Sequence, residues 1–126
     1  DTVSVGAGTG TATLNVDGTL ALIGGSTQLV TAAGGITADD SYVRIAGNGG
    51  PVIITANPQI TVSGTVQDGQ ILILKGTSDA NPVTIVEGNG VALETGVDFL
   101  MDNKDVLQLI YDSVDSDWIE VTRSDK

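Results

Sequence analysis

Short apolar segments alternate with turn residues along most of this chain, at the spacing of roughly 8–12 residues that is typical of β-sandwiches and barrels. Val, Ile and Thr dominate these segments, and Ala, Leu, Glu and Lys do not cluster at helical spacing. The pattern predicts strands at residues 42–46, 51–56, 60–66, 70–75, 82–87, 91–94, 97–101, 106–111 and 117–122. We therefore predict an all-β protein, with an antiparallel β-sandwich or jelly-roll-like domain over residues 36–126.

Two of these segments carry more specific signals. The apolar run 71–74 has no polar interruption, which is typical of a strand buried on both faces. The segments 106–111 and 117–122 flank a short polar loop and predict a terminal hairpin. Trp118 lies in the second of them, and we expect it to anchor the core or an interface.

The first 35 residues predict an extended N-terminal β arm with a role in assembly. Asp17-Gly18 separates the apolar segments 11–16 and 19–23, and Asp-Gly in that position predicts a tight β-hairpin. Both faces of such a hairpin carry apolar residues, so we expect it to be covered on two sides. A neighbouring subunit is the expected cover, and burial inside a sandwich is the alternative. The predicted interface residues are Leu14, Val16, Leu20, Leu22 and Ile23.

The composition disfavours catalysis. The chain has no His and no Cys, which removes the commonest general base and the commonest thiol nucleophile. The glycine-rich turns at 47–50 and 88–90 lack the Lys-Ser/Thr pair of a phosphate-binding loop. Carboxylate pairs for glycoside hydrolysis come without substrate-stacking aromatics. We predict that the protein is not an enzyme and needs no cofactor.

Charge narrows the choice of partners. The formal net charge is −11, with five basic residues, and most of the acidity lies in residues 68–126. Nucleic acids and anionic membrane surfaces attract basic patches, so we expect neither as a partner. No apolar run reaches the roughly 18 residues of a transmembrane helix. The chain begins at Asp1 without Met, from which we expect a processed product or a fragment.

The acidic residues suggest cation binding as an alternative to a solvated surface. Asp112, Asp115 and Asp117 lie close together in the terminal loop, with Glu120 shortly after, and are weak calcium candidates. Their spacing does not match an EF-hand. A second, weaker cluster consists of Asp98, Asp102 and Asp105.

Three stretches of the chain carry a family resemblance. Residues 42–58 read YVRIAGNGGPVIITANP, residues 68–90 read DGQILILKGTSDANPVTIVEGNG, and the end reads DVLQLIYDSVDSDWIEVTRSD. In this order they resemble a β-rich module of bacteriophage virion proteins of the tail-fibre, head-fibre or capsid decoration type. The resemblance covers about residues 36–126. It implies a structural role in a symmetric oligomer, often a trimer, and brings no active-site residues.

Three functions remain open at the level of the sequence. The first is a structural component of a virus particle that assembles with copies of itself and with other virion proteins. The second is a subunit of an extracellular filament, in which the N-terminal arm donates a strand to the next subunit. The third is a carbohydrate-binding module, which would require Trp118 to be exposed.

Overall fold

The structure, a computed structural model, describes residues 13–126. Within that range it contains β-strands and one short 3-10 turn, at Glu94–Gly96. The strands are β1 (Gln28–Val30), β2 (Ile36–Thr37), β3 (Tyr42–Gly47), β4 (Val52–Ile53), β5 (Ile60–Thr61), β6 (Ile71–Gly76), β7 (Val83–Ile85), β8 (Val91–Ala92), β9 (Phe99–Met101), β10 (Val106–Asp112) and β11 (Asp117–Ser124). The all-β class is confirmed. No helix in the described range is long and apolar enough to cross a membrane.

The chain runs through the fold in three successive passes, β1 to β2, β3 to β5 and β6 to β8. These passes stack on one another as in a solenoid. β1, β3 and β6 pair in parallel in one sheet, β4 and β7 in a second, and β2 and β5 in a third. The second pass, β3 to β5, has a strand in all three sheets; the first pass, β1 and β2, has none in the second sheet, and the third pass, β6 to β8, has none in the third. The six-stranded sheet, with the order β1-β3-β6-β10-β11-β8, is the largest.

The chain reverses direction after β8. β9 pairs antiparallel with β7, β10 pairs antiparallel with β6, and β11 returns antiparallel to β10. β8 then pairs in parallel with β11 at the edge of the large sheet. The terminal hairpin predicted from the sequence is confirmed by the β10–β11 pair.

The pairing differs from the expected antiparallel arrangement. Of the eight strand pairs in the described residues, five are parallel and three are antiparallel. The turn at 47–50 shows the cause, since it leads β3 into β4 in a different sheet and does not fold it back as a hairpin. The next pass then meets β3 in the same direction.

One continuous hydrophobic core fills the space between the sheets. It is built mainly from Val, Ile and Leu, with Phe99 and Trp118 as its buried aromatics. On β6 and β10 the inward positions are Leu72, Leu74, Leu107 and Leu109, and all four are fully buried. Burial of each such side chain contributes about 1.5–3 kcal/mol.

The prediction that residues 71–74 are buried on both faces is wrong. Leu72 and Leu74 face the core, but Ile71 is 43% exposed and Ile73 is half-buried on the opposite face. Successive side chains of a strand point to opposite faces, so Ile71 and Ile73 lie on the face of β6 opposite to the core.

A buried amide joins two passes of the chain. Gln59 is fully buried, and its side chain accepts a hydrogen bond from Val86 N (3.0 Å) and donates to the carbonyl oxygens of Val86 (2.8 Å) and Gly88 (2.7 Å). Gln59 N also donates to Asn89 O at 3.0 Å. These bonds replace strand pairing where the third pass leaves regular β-structure.

The predicted hairpin at Asp17-Gly18 is not formed in the described residues. No strand is assigned in residues 13–27, and residues 13–23 are all exposed; residues 11 and 12 of the prediction lie outside the described range. Gly18 has a positive φ of 125°, but Asp17 does not, whereas a type I′ turn needs positive φ at both positions. An isolated two-stranded hairpin is marginal in water, so this one lacks the cover it would need.

The body of the protein starts earlier than the predicted boundary between residues 35 and 36. β1 pairs with β3, and its Val30 is fully buried in the core. Before β1, the described segment 13–27 contains no strand, and its residues 13–23 are exposed. We call residues 13–23 of this segment the outer arm.

Candidate assembly surface

The outer arm presents apolar side chains to solvent. The five predicted interface residues are 45–85% exposed: Leu14, Val16, Leu20, Leu22 and Ile23. Asp17 is the only charged residue among residues 13–23. An apolar segment with so little charge is typical of an interaction site in a protein that is otherwise strongly acidic.

The base of the arm is held against β3. A Cβ atom on Gly24 would lie 2.7 Å from the carbonyl oxygen of Tyr42 and 2.9 Å from its ring. Arg44 Nη1 donates a hydrogen bond to the Gly25 carbonyl (3.0 Å), and its guanidinium carbon lies 4.8 Å from the centroid of the Tyr42 ring. Glycine at position 24 permits this close approach, and the arm leaves the body from a defined point.

A cleft of about 700 Å³ separates the outer arm from the body. Leu20 and Leu22 line one side, and Ile71 with the loops 39–41 and 67–70 lines the other. Two acids of these loops hold neighbouring turns. Asp39 accepts hydrogen bonds from the backbone N–H and hydroxyl of Ser63, and Asp68 accepts one from Ser113 N.

These hydrogen bonds lower the pKa values of the two acids. Hydrogen bonds from Ser63 lower the pKa of Asp39, and those from Ser113 lower the pKa of Asp68. Both carboxylates are therefore favoured in their charged form. The cleft thus combines negative charge with the apolar side chains of Leu20, Leu22 and Ile71.

Two of the calcium candidates, Asp112 and Asp117, pair across the β10–β11 hairpin, but the three do not form one group. Asp112 Oδ1 accepts hydrogen bonds from the backbone N–H groups of Val114 (2.7 Å) and Asp115 (3.2 Å), so Asp112 shapes its own loop. Within residues 13–126, Asp112, Asp115 and Asp117 do not form a group of three acids that could hold a metal. The described structure therefore does not support the interpretation of this loop as a calcium site.

The second acidic cluster is also divided among structural roles. Asp98 accepts a hydrogen bond from Glu87 N at 2.8 Å, away from the other two. Asp105 is buried and accepts hydrogen bonds from Asp102 N (3.0 Å) and Lys126 N (2.7 Å). Burial and the neighbouring charge of Asp105 raise the pKa of Asp102. The cluster ties the C-terminal end to the β9–β10 turn.

Trp118 is a core residue. It is 3% exposed and packs edge-to-face on Tyr111, with ring centroids 5.3 Å apart. The prediction of a core anchor is confirmed, and the ring does not offer an exposed stacking platform for a sugar.

The two arginines behave differently from each other. Arg123 forms a two-pronged ion pair with Glu120, with distances of 2.5 Å and 2.6 Å, and lies 4.6 Å from the centroid of the Phe99 ring. The pair lowers the pKa of Glu120 and raises that of Arg123. Arg44 instead holds the base of the arm. Among the described residues, only Arg123 of the two forms an ion pair.

Sequence reasoning missed the outward isoleucines of the large sheet. Ile71 pairs with Ile110, and Ile110 pairs with Ile119, so the three form a row across β6, β10 and β11. The signal was present in the alternation Leu107, Leu109 against Ile110, but the continuous run 71–74 concealed which residues face outward.

Comparison of the chain with protein-family models, with curated proteins and with solved structures gave no match.

Proposed function

We propose that this protein is a non-enzymatic structural component of a virus particle that assembles through its N-terminal arm. The observation that carries the proposal is the outer arm itself, whose five apolar side chains are exposed on an otherwise acidic chain. Burial of such an exposed apolar segment against another protein surface is favourable, because it removes apolar area from water.

The charge distribution supports self-assembly. The net charge of −11 keeps separate copies apart in solution, but the outer arm holds a single acid and can approach a like-charged body with little repulsion. Assembly would then be directed to one apolar contact.

The virion setting rests on the resemblance of residues 36–126 to the phage module. It suggests a fibre segment or a capsid decoration, with copies of the chain itself and other virion proteins as partners. A closed homotrimer is the expected form. The jelly-roll-like sandwich stays a prediction. The proposed role of the outer arm does not depend on it, because the arm is equally exposed on the solenoid-like arrangement of sheets.

The test replaces all five interface residues of the outer arm by Ser in the full chain: Leu14, Val16, Leu20, Leu22 and Ile23. These side chains contribute nothing to the core, so the variant is expected to fold. We expect its mass, measured by light scattering on a sizing column, to fall from that of an oligomer to the 12.8 kDa of one chain.

The matched control replaces Ile53 and Leu100 by Ser. They are 61% and 52% exposed, and both lie outward on the three-stranded sheet, opposite Thr84. This variant is expected to keep the oligomer mass. An arm variant that keeps the mass of the unmodified chain would contradict the proposal.

A subunit of an extracellular filament is the second candidate. β1 is at the edge of the six-stranded sheet, where the described residues offer it no partner besides β3, and its Leu29 is 61% exposed. A strand donated by the next subunit would pair there through main-chain hydrogen bonds. Head-to-tail contacts that do not close would give species that grow with concentration, whereas the virion form gives one discrete mass.

A further inference from the structure

The outer face of the six-stranded sheet has an unusual chemistry for a face turned to water. A sheet with one solvated face normally alternates apolar and polar residues along its antiparallel strands. Here Ile71, Ile110 and Ile119 stand in register across three neighbouring strands. We name these three residues the isoleucine row. Ile71 is 43% exposed, Ile110 is 36% exposed and Ile119 is half-buried.

On one side of the row, the neighbouring residues of the face are apolar or uncharged. Ile73 and Gln108 lie beside it on β6 and β10. Val121 occupies the bulge in β11, where the register shifts between Gln108 and Leu109, and it is 54% exposed. On the other side, at the end of the hairpin, Asp112 and Asp117 pair with each other directly beside Ile110 and Ile119.

The outer arm matches this face in charge and spacing. It carries one acid, and its Leu20 and Leu22 are two residues apart, as are Ile71 and Ile73 of β6. In extended chains that interval is roughly 6.5–7 Å, so the two pairs can pack side by side. Within one chain, leucines of the arm and an isoleucine of the row already lie across a cleft from each other, since Leu20, Leu22 and Ile71 line it.

The reach of the arm points to a second copy as the occupant. The base is fixed at Gly24 and Gly25 by Tyr42 and Arg44. From there the eleven residues 13–23 extend up to about 35 Å, which is more than the diameter of a small domain. In its own chain the arm stays exposed and leaves Ile110 uncovered.

We propose that the isoleucine row is the docking site for the outer arm of a second copy of this chain. The inference rests on the proposed function, since it names the surface that receives the arm. Docking would bury the apolar faces of both partners and leave the acids of the hairpin end at the rim. Every copy supplies one arm and one row, so the contacts can close into a ring.

The first experiment places a charge in the row. Ile110→Glu is compared with Ile53→Glu, which puts the same charge at an exposed isoleucine of the other sheet. We expect Ile110→Glu to reduce the mass in light scattering to that of one chain, 12.8 kDa, and Ile53→Glu to leave the oligomer intact. An Ile110→Glu protein with the native circular dichroism spectrum and an unchanged oligomer mass would overturn the inference.

The second experiment does not depend on the folding of that variant. The chain has no cysteine, so Leu20→Cys in one preparation and Ile119→Cys in another each introduce a single thiol. Mixed and oxidised in air, with one chain tagged to alter its mass, they are expected to form a disulfide between the two chains. Ile53→Cys replaces Ile119→Cys in the control and is expected to give little product. Equal yields from the two mixtures would contradict the docking site.

Two further outcomes separate this inference from the proposed function. If the five-Ser arm variant loses its oligomer mass while Ile110→Glu keeps it, the arm assembles the protein but the row is not its receptor. If a chain with both Leu20→Cys and Ile119→Cys closes an internal disulfide at high dilution as fast as at high concentration, the arm covers its own sheet and the second copy is excluded.

Discussion

At the scale of single residues, this structure depends on polar side chains that satisfy the backbone where strands are short. Gln59 and Gln28 do this in the same way, because each amide both donates to and accepts from the backbone of one residue, Val86 and Thr37 respectively. Gln59 is fully buried and Gln28 is not. The sequence offered no signal for either role, since a Gln between turn residues is normally exposed.

Gln59→Leu is expected to destabilise the protein by about 2–3 kcal/mol, because it removes two side-chain hydrogen bonds to the backbone of Val86 and one to the carbonyl oxygen of Gly88, which keeps its bond from Val91 N. Gln28→Leu is the matched control and should cost under about 1 kcal/mol, since water can reach the Thr37 backbone. Urea unfolding followed by Trp118 fluorescence measures both. Equal losses in the two variants would contradict the role of Gln59.

Asp102→Asn is expected to raise the melting temperature at pH 7. Burial and Asp105 raise the pKa of Asp102, so the folded state holds its proton more tightly than the unfolded chain, and its charged form at neutral pH destabilises the fold. This penalty disappears as the pH falls through the raised pKa and below the ordinary value of 3.8. The gain of the variant over the unmodified chain should therefore vanish in acid.

The exposed acid Asp115 supplies the control for this pH series. Thermal melts of Asp115→Asn should show no comparable gain at neutral pH. A stabilisation by Asp102→Asn that persists unchanged below pH 3.8 would mean that charge is not the cause.

At the scale of elements, local patterns predicted the terminal hairpin but not the stacking. The β10–β11 hairpin follows from two alternating segments and a polar loop, and it is found as predicted. The parallel pairs of β1, β3 and β6 could not be predicted, because alternation tells which face a residue takes and not which strand lies beside it. Strands such as β5, with two residues, are also shorter than the apolar segments that predicted them.

Close approach between elements explains one glycine in particular. Gly76 ends β6, and a Cβ atom there would overlap the carbonyl oxygen of Asp102 in the β9–β10 turn. Gly76→Ala is expected to cost about 2–3 kcal/mol through this clash. Gly64→Ala, at a glycine with nothing within 4 Å, should change stability by less than about 0.5 kcal/mol.

Urea unfolding curves of the two glycine variants make this comparison directly. Similar midpoints for Gly76→Ala and the unmodified chain would show that the β9–β10 turn can move away from β6. That result would contradict a rigid contact between the end of β6 and the β9–β10 turn.

At the scale of the whole molecule, an acidic solenoid-like body carries an apolar arm with a single charge. The arm was recognisable from the sequence, because Leu14, Val16, Leu20 and Leu22 lie on both sides of Asp17-Gly18 with no other charge among them. The absence of the hairpin could not be recognised from the sequence. A hairpin with two apolar faces needs a covering surface, and the described part of one chain does not provide it. The isoleucine row offers that cover in a second copy.

The most direct test of self-assembly is the absolute mass of the full chain by light scattering on a sizing column, at several concentrations. We predict a discrete species larger than the 12.8 kDa chain, near three times that mass, which does not grow as the concentration rises. Species that grow without limit would favour the strand-donating filament. A single chain at every concentration would contradict self-assembly in both forms.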